Sequence, residues 1–553
     1  MAWRTVKFPA FRTFAPTLSK ASLVEKRVCI AGGGVAGLYA AWLLGRVGIP
    51  CDIIEANGRI GGRLYTHRFE NDNTGYDYYD VGAMRFPKTP FMRRTFNLIA
   101  SLNAAVKGSV RLIPFHNSSA GSEGYQFFNN VHYPRILPEG ATNVKYPYNI
   151  ATYVPEDYAW VRNPLSMRVR MNTIMKELRR GLLPGSSDLD EFVRGLIREY
   201  DPYTMRTYLQ YRLRYPTSVI NVLETLNGST GTYDRGLVET ILEDIAFDWQ
   251  REATGQPIEW FCIDQGAAQL AYALARQLTS PVKTNTRVTA IRNHNTSCQT
   301  SDGLIVTTEK VAPDSTKTTE ETNYAVVIST LTLPALSRVD LGQAGIHSNY
   351  AQWSAIRQLA YGSAVKIGIR FSKNWWAEAP LNIIGGDSRT DRPLRVIVYP
   401  LYPEHEPKSR VLIVSYCWLQ DADRMGSQFD NRTGEIDERL LDLILKELAM
   451  IHGVEYDYLR GLVEDRERDC FAHDWSRDPY SMGSYAEFGP SQYADAIFTA
   501  MTQPAANGQL WFAGEALSTT HAWVAGALES AERAIFGIMK TFGCPEEDFV
   551  RLR

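Results

Sequence analysis

Apolar positions along the chain follow two periods. Residues 27–31 and 51–55 are short apolar runs of strand length, and between them Leu38, Ala41, Leu44 and Val47 recur at helical spacing. Further strands are expected at 258–263, 282–291, 303–309, 324–329, 363–371, 410–418 and 510–515. A helical period marks 91–102, 267–278 and 437–451, and a helix is expected from about Thr520 onward. It also marks 166–183, 188–200, 202–211 and 234–247, with loops at 184–187 and 227–230, so that 155–249 reads as an all-helical insertion. Residues 108–148 are aromatic with Asn, Gly and Pro breaks and read as short strands and turns. Residues 310–323 are polar and read as a hairpin loop.

The first strand–helix–strand unit also carries chemistry. Gly32, Gly34 and Gly37 stand in G-x-G-x-x-G spacing where strand passes into helix. The first glycine of such a turn permits the bend, the second lets the backbone approach a pyrophosphate, and the third lets helix close on strand. The helix N-terminus offers free N–H groups and partial positive charge to the phosphates. Glu55 ends the second strand about 20 residues on, where a carboxylate bonds ribose hydroxyls. A glycine triplet alone is a weak signal. With both strands, the helix and the acid in place it predicts a dinucleotide site, with Ala36 and Ala56 counted among its contacts. Directly behind, Gly61-Gly62 lie between Arg59 and Arg63, so the glycines can pass close to the cofactor while an arginine neutralises phosphate.

Composition narrows the partners. A chain of 553 residues needs two or three lobes rather than one core. Its net charge of −2, from 59 Lys+Arg against 61 Asp+Glu, gives no electrostatic case for nucleic acid or an anionic membrane. No apolar run approaches the roughly 18 residues of a spanning helix. Seven scattered cysteines with no C-x-x-C, and nine histidines with no H-x-x-x-H, predict neither a disulfide framework nor a metal site. Residues 1–25 are basic and aromatic, with Arg4, Lys7, Arg12 and Lys20, and lack the apolar core of a secretory signal. A surface arm is expected, a transit peptide stays open, and a soluble, cytoplasmic location is favoured over a secreted one. The N-x-[ST] matches at Asn117, Asn227, Asn295 and Asn431 are what a chain of this length gives by chance.

Arg59-x-Gly61-Gly62-Arg63 resembles the second signature of flavoproteins with two dinucleotide-binding domains, whose cofactor is FAD. Gly82-Ala83-Met84-Arg85-Phe86-Pro87 sharpens the resemblance: it is similar to the flavin amine oxidase family, in the branch of L-amino acid oxidases and tryptophan 2-monooxygenase. The likeness runs from about residue 27 to 542. It also rests on Lys366-Ile367…Trp375-Trp376, on Ser415-Tyr416-x-Trp418…Asp421-Ala422, on His473-Asp474-Trp475…Gly483, and on Gly514-Glu515…His521-Ala522-Trp523.

The resemblance implies an α/β fold (α+β overall): a Rossmann-like FAD domain of residues 1–104, 257–335 and 465–553, a mixed-sheet substrate domain of 105–154 and 336–464, and a helical domain of 155–256. It places noncovalent FAD against Gly82, Ala83, Met84, Arg85, Val288, Trp475, Gly514, Glu515, Trp523 and Val524, besides the glycine motifs. The cysteine that anchors flavin in monoamine oxidases has no counterpart, since Cys544 lies too far on. It makes Arg85 the clamp for a substrate carboxylate, a role suited to a permanently charged planar fork. Tyr416 shares that carboxylate, Trp523 and Ala522 border the substrate, and Lys366 holds a water near the flavin N5 and assists reaction with O₂. His473 reads as structural rather than as a base. The expected reaction is oxidative deamination of L-amino acids to 2-oxo acids, ammonia and hydrogen peroxide, in a homodimer or larger assembly. A decarboxylating 2-monooxygenase is the alternative. Side-chain preference stays open: Trp249, Trp418 and Phe371 would build an aromatic pocket, whereas Asp248, Asp264 or Asp421 would greet a basic group.

Overall fold

The strands marked most plainly by apolar runs lie side by side. Val28–Ala31, Cys51–Ile54, Val326–Ser329 and Leu510–Phe512 form an all-parallel sheet in which the first strand sits between the second and third, and the fourth lies outermost. The computed structural model that shows this describes residues 19–70, 75–115, 124–134, 148–180, 189–254, 258–293, 303–312, 316–347, 349–400, 409–494 and 496–552. Both faces of the sheet are covered, which is why its strands read as continuous apolar runs rather than as alternation. Val28, Ile30 and Ile53 point to one side, into the helices Val35–Arg46, Ala268–Ala275 and Val524–Thr541. Cys29, Ala31 and Ile54 point to the other, toward Val288, Ile291 and Val306 of an antiparallel sheet.

That second sheet corrects one expectation. Residues 310–323 do not form a plain loop, because Lys317–Tyr324 is a strand paired in register with Leu304–Val311, which in turn pairs with Thr286–Asn293. Its KTTEETNY sequence is exposed along most of its length, so both faces are wet and no apolar alternation betrays it.

A seven-stranded mixed sheet forms a third layer, and at one end of it Ala364–Arg370 pairs with Val411–Trp418 and with the edge strand Cys470–Asp474. Alternation divides its labour. Val365, Ile367, Ile369, Leu412 and Val414 face a core with Trp375, Trp376 and the helix Glu438–His452, while Lys366 and Tyr416 sit opposite one another on the other face. Phe371 is buried in that core, so it is not part of an aromatic substrate pocket. The helical insertion comprises Pro164–Leu178, Leu189–Tyr200, Thr217–Leu226 and Leu237–Thr254. The expected helix at 202–211 is instead a short turn, Met205–Thr207, running into a π-helical turn at Tyr208–Arg212. The loop at 184–187 lies outside the described residues. Among those described, no helix is long and apolar enough to cross a membrane, and no group of three His, Cys, Asp or Glu side chains is placed to hold a metal ion.

Helix and sheet meet most tightly at Gly37, where an added Cβ would fall 2.0 Å from the Gly32 carbonyl oxygen, a rigid backbone atom. Gly37→Ala is therefore expected to cost about 3 kcal/mol or more. Thermal unfolding checks this, and an unchanged Tm would contradict the close approach.

Candidate active site

A cavity of about 1100 Å³ runs along the C-terminal ends of the parallel strands, past the seven-stranded sheet, to the helical insertion. Such a crevice is the usual ligand position of an open α/β sheet. At its base the two glycine motifs are knitted together. Gly61 N–H donates to the Gly33 carbonyl at 2.9 Å, Gly34 and Gly61 form a parallel bridge, and a Cβ on Gly62 would stand 3.3 Å from the Gly34 Cα. Gly32, Gly61 and Gly62 have φ of 112°, 97° and 56°, the left-handed region that glycine enters without strain. A Cβ on Gly34 would meet nothing within 4 Å, so the turn opens onto the cavity in front of the first helical N–H groups. Gly37 does not line the cavity. It serves the helix–strand packing expected of the third glycine of the motif.

Glu55 is buried at the cavity wall with both carboxylate oxygens already used. Oε2 accepts from Gly33 N–H at 2.6 Å and Oε1 from Asn57 N–H at 2.7 Å. Burial raises its pKa, and the two backbone donors resist the rise. Glu515 is similarly occupied. One oxygen pairs with Arg63 at 2.8 Å, the other accepts from Ala486 N–H at 2.6 Å and Ala522 N–H at 3.2 Å. Burial pushes its pKa up, but Arg63 and His521 outweigh that and hold the carboxyl below its ordinary range. Arg63 also donates to the Ser484 carbonyl, which leaves Arg59 as the less committed arginine of its motif. Glu515 thus ties the glycine loop to Ala522, whose φ of 64° turns the chain into the final helix. Trp523 is the N-cap of that helix and Val524 its first residue, and both line the cavity.

The catalytic wall follows from sheet register. Lys366, 2% exposed, donates to the Asp80 carbonyl at 2.8 Å and the Gly82 carbonyl at 2.7 Å. It thereby fastens the Gly82–Arg85 segment to the sheet. Gly82 has no room for a side chain, since a Cβ would fall 1.8 Å from the Arg63 carbonyl oxygen, and Trp475 lies against it and donates to the Val81 carbonyl at 3.2 Å. Burial drives the Lys366 pKa down, Arg85 pushes the same way, and Asp80 resists. The Lys366 ammonium lies over the Tyr416 ring at 4.6 Å.

Arg85 is half-buried on the cavity wall. Arg63, Arg235, Arg370 and Arg395 each have a carboxylate within ion-pair distance, whereas none of the described carboxylates pairs with Arg85. Its guanidinium lies over the rings of Phe247 and Trp260 at 5.4 and 5.7 Å, beside Trp523, and its pKa is lowered by burial. The rings of Tyr416 and Trp418 lie 4.2 Å apart, tilted by 49°, nearby on the cavity wall.

Of the remaining expected contacts, Ala36, Ala56, Ala83, Met84, Val288, Gly514 and Ala522 line the same cavity. Asp264 and Asp421 do not: the first faces Arg111, the second binds Arg395 and Thr230 N–H. The side chains of Asp248 and Trp249 lie outside the described residues. His473 sits 3.3 Å from Asp478, in keeping with a structural part. Phe247, Trp260 and the buried pair His521–Glu239, 2.9 Å apart with Tyr493 also donating to Glu239, were not anticipated. They come from distant segments with no local motif, and only the fold brings them together.

Comparison with known proteins decides what this architecture is. The model of the flavin containing amine oxidoreductases matches residues 35–534. The chain belongs to that family. It is therefore an FAD-dependent oxidoreductase. It is 36% identical over 543 residues to L-amino-acid oxidase 4 of Hebeloma cylindrosporum, covering 93% of this chain and 82% of the relative. An L-amino-acid oxidase of Siganus canaliculatus is 28% identical, covering 93% and 86%. Among solved structures, wild-type putrescine oxidase bound to putrescine superposes with a TM-score of 0.61 at 16% identity, covering 93% of this chain and 98% of the other, a likeness of fold. The residues present fit FAD: an open glycine turn, a helix N-terminus aimed at the cavity and a second helix start at Val524.

Burial alone would lower the His521 pKa, but Glu239 outweighs it and raises it. A raised folded pKa stabilises fully below the ordinary value near 6.5 and is lost as pH rises through the folded value. The native Tm is expected to fall as pH is raised above neutrality, and His521→Gln to lack that part of the slope. Identical slopes would contradict the pairing.

Proposed function

We propose that this flavoenzyme deaminates L-α-amino acids oxidatively, converting amino acid, O₂ and water to a 2-oxo acid, ammonium and hydrogen peroxide. The observation that carries the reading is the guanidinium of Arg85 on the cavity wall, which no carboxylate among the described residues pairs, with Tyr416 on the same wall. A half-buried cation without a counter-charge carries part of the desolvation cost of a buried one, and a substrate carboxylate would supply the missing charge through two parallel N–H···O bonds. A simple amine leaves it unpaired.

Bound FAD supplies the hydride acceptor and passes the electrons to O₂. It would be held noncovalently by the Gly32–Gly34 turn, Glu55, Arg59 and the start of the final helix. The chain's own residues set up the geometry. Arg85 and Tyr416 fix the carboxylate, and Trp523, Phe247 and Trp260 remove water around it. Holding one end of the substrate restricts the Cα–H to a near-attack position. The same dry surroundings lower the pKa of the substrate ammonium, so it is released as the neutral amine that hydride loss requires. Lys366 keeps Gly82 and Asp80 in place through their carbonyls and lines the cavity where charge develops on reaction with O₂.

An aerobic assay of the purified yellow protein against L- and D-amino acids, following peroxide and identifying the organic product, tests the proposal. Peroxide with 2-oxo acids from L-substrates is the expected result. An amide with CO₂ and no peroxide would establish the monooxygenase instead. Arg85→Met is expected to lose about 2–5 kcal/mol of transition-state binding, read as kcat/KM, and Arg85→Lys to recover only part of it, because a point charge cannot form the bidentate pair. Unchanged kcat/KM in Arg85→Met would overturn the clamp.

A further inference from the structure

The helix Pro164–Leu178 turns a row of methionines to the cavity. Met167, Met171 and Met175 stand at i, i+4 and i+8, and all three line the same space as Lys366 and Arg85. Residues four apart share one helix face, so the row is continuous. Met205, from the neighbouring turn, extends it. The row is graded in depth. Met205 and Met175 are 2% and 9% exposed within the hydrophobic core, whereas Met167 and Met171 are half-buried at its edge. A thioether fills such a wall as well as leucine does, but it differs chemically in reacting with peroxide.

We infer that Met167 and Met171 are sites of turnover-dependent oxidation by the enzyme's own product. The inference rests on the oxidase reading, which supplies the oxidant. The sulfur lone pair attacks one peroxide oxygen, the O–O bond breaks, a sulfoxide S–O bond forms, and the second oxygen leaves as water. Sulfur is oxidised by two electrons and peroxide is reduced by two. Peroxide is small and neutral, and it is released into the space these sulfurs border, so it meets them at the cavity's local concentration rather than that of bulk solvent. Sulfoxidation turns a flexible apolar side chain into a polar one, and this edge adjoins the core of the helical insertion. The expected consequence is loss of activity during turnover.

The test is peptide mass spectrometry of the holoenzyme after turnover of an L-amino acid with excess catalase outside. Met450, 42% exposed and remote from the cavity, reports peroxide in bulk solvent. Catalase is too large to enter the cavity, so Met167 and Met171 are expected to gain one oxygen about tenfold more than Met450. Met167→Leu/Met171→Leu, which keeps volume and polarity close to native, is expected to slow the decay of activity during turnover. Equal labelling of Met171 and Met450, or protection of both by catalase, would overturn the inference while leaving the oxidase reading intact. Peroxide measured in a catalase-free tube separates the two cases: none formed means the function itself is wrong, and the inference falls with it.

Discussion

A half-buried guanidinium that no carboxylate among the described residues pairs is the constraint on which the site turns. Proteins pair or neutralise buried charge because desolvation costs several kcal/mol per ion. Here the chain spends carboxylates freely on other arginines, and none of the described carboxylates pairs with Arg85. Phe247 and Trp260 soften the cost through their ring faces without neutralising the charge. On the proposed function this is the position that a substrate carboxylate would fill, and the rest of the cavity wall holds the guanidinium in place.

The holding is indirect and crosses the whole chain. Lys366, on the seven-stranded sheet, fixes the carbonyls of Asp80 and Gly82, and so sets where Arg85 emerges. Glu515 joins Arg63 to Ala522, and so couples the glycine loop to the start of the final helix. Glu239 reaches from the helical insertion to His521 one residue earlier. Three carboxylates or cations from distant segments thus position one short stretch of backbone each. Moving one domain against another would disturb cofactor cradle and substrate wall together.

Much of this was legible in the sequence for physical reasons. Gly32, Gly34, Gly61 and Gly62 could be read because backbone at a phosphate cradle admits no side chain, and the spacing reports the turn. Lys366 stood out as a charge inside an apolar strand. What stayed hidden was long-range or solvated. Phe247 and Trp260 reach Arg85 from the middle of a helix and from a short strand, with no motif of their own. Lys317–Tyr324 is a strand wet on both faces and looks like loop. Gly37 was legible too, since the third glycine of the motif lets helix close on strand, and the Gly32 carbonyl behind it is what leaves no room for a side chain.

The most direct measurement compares an L-amino acid with the amine that differs only by loss of its carboxylate, using one preparation of the holoenzyme and kcat/KM for each. If Arg85 awaits a carboxylate, the amino acid should be favoured by 2 kcal/mol or more, roughly thirtyfold. Equal values, or preference for the amine, would contradict the account, because the half-buried charge would then have no part in recognising the substrate.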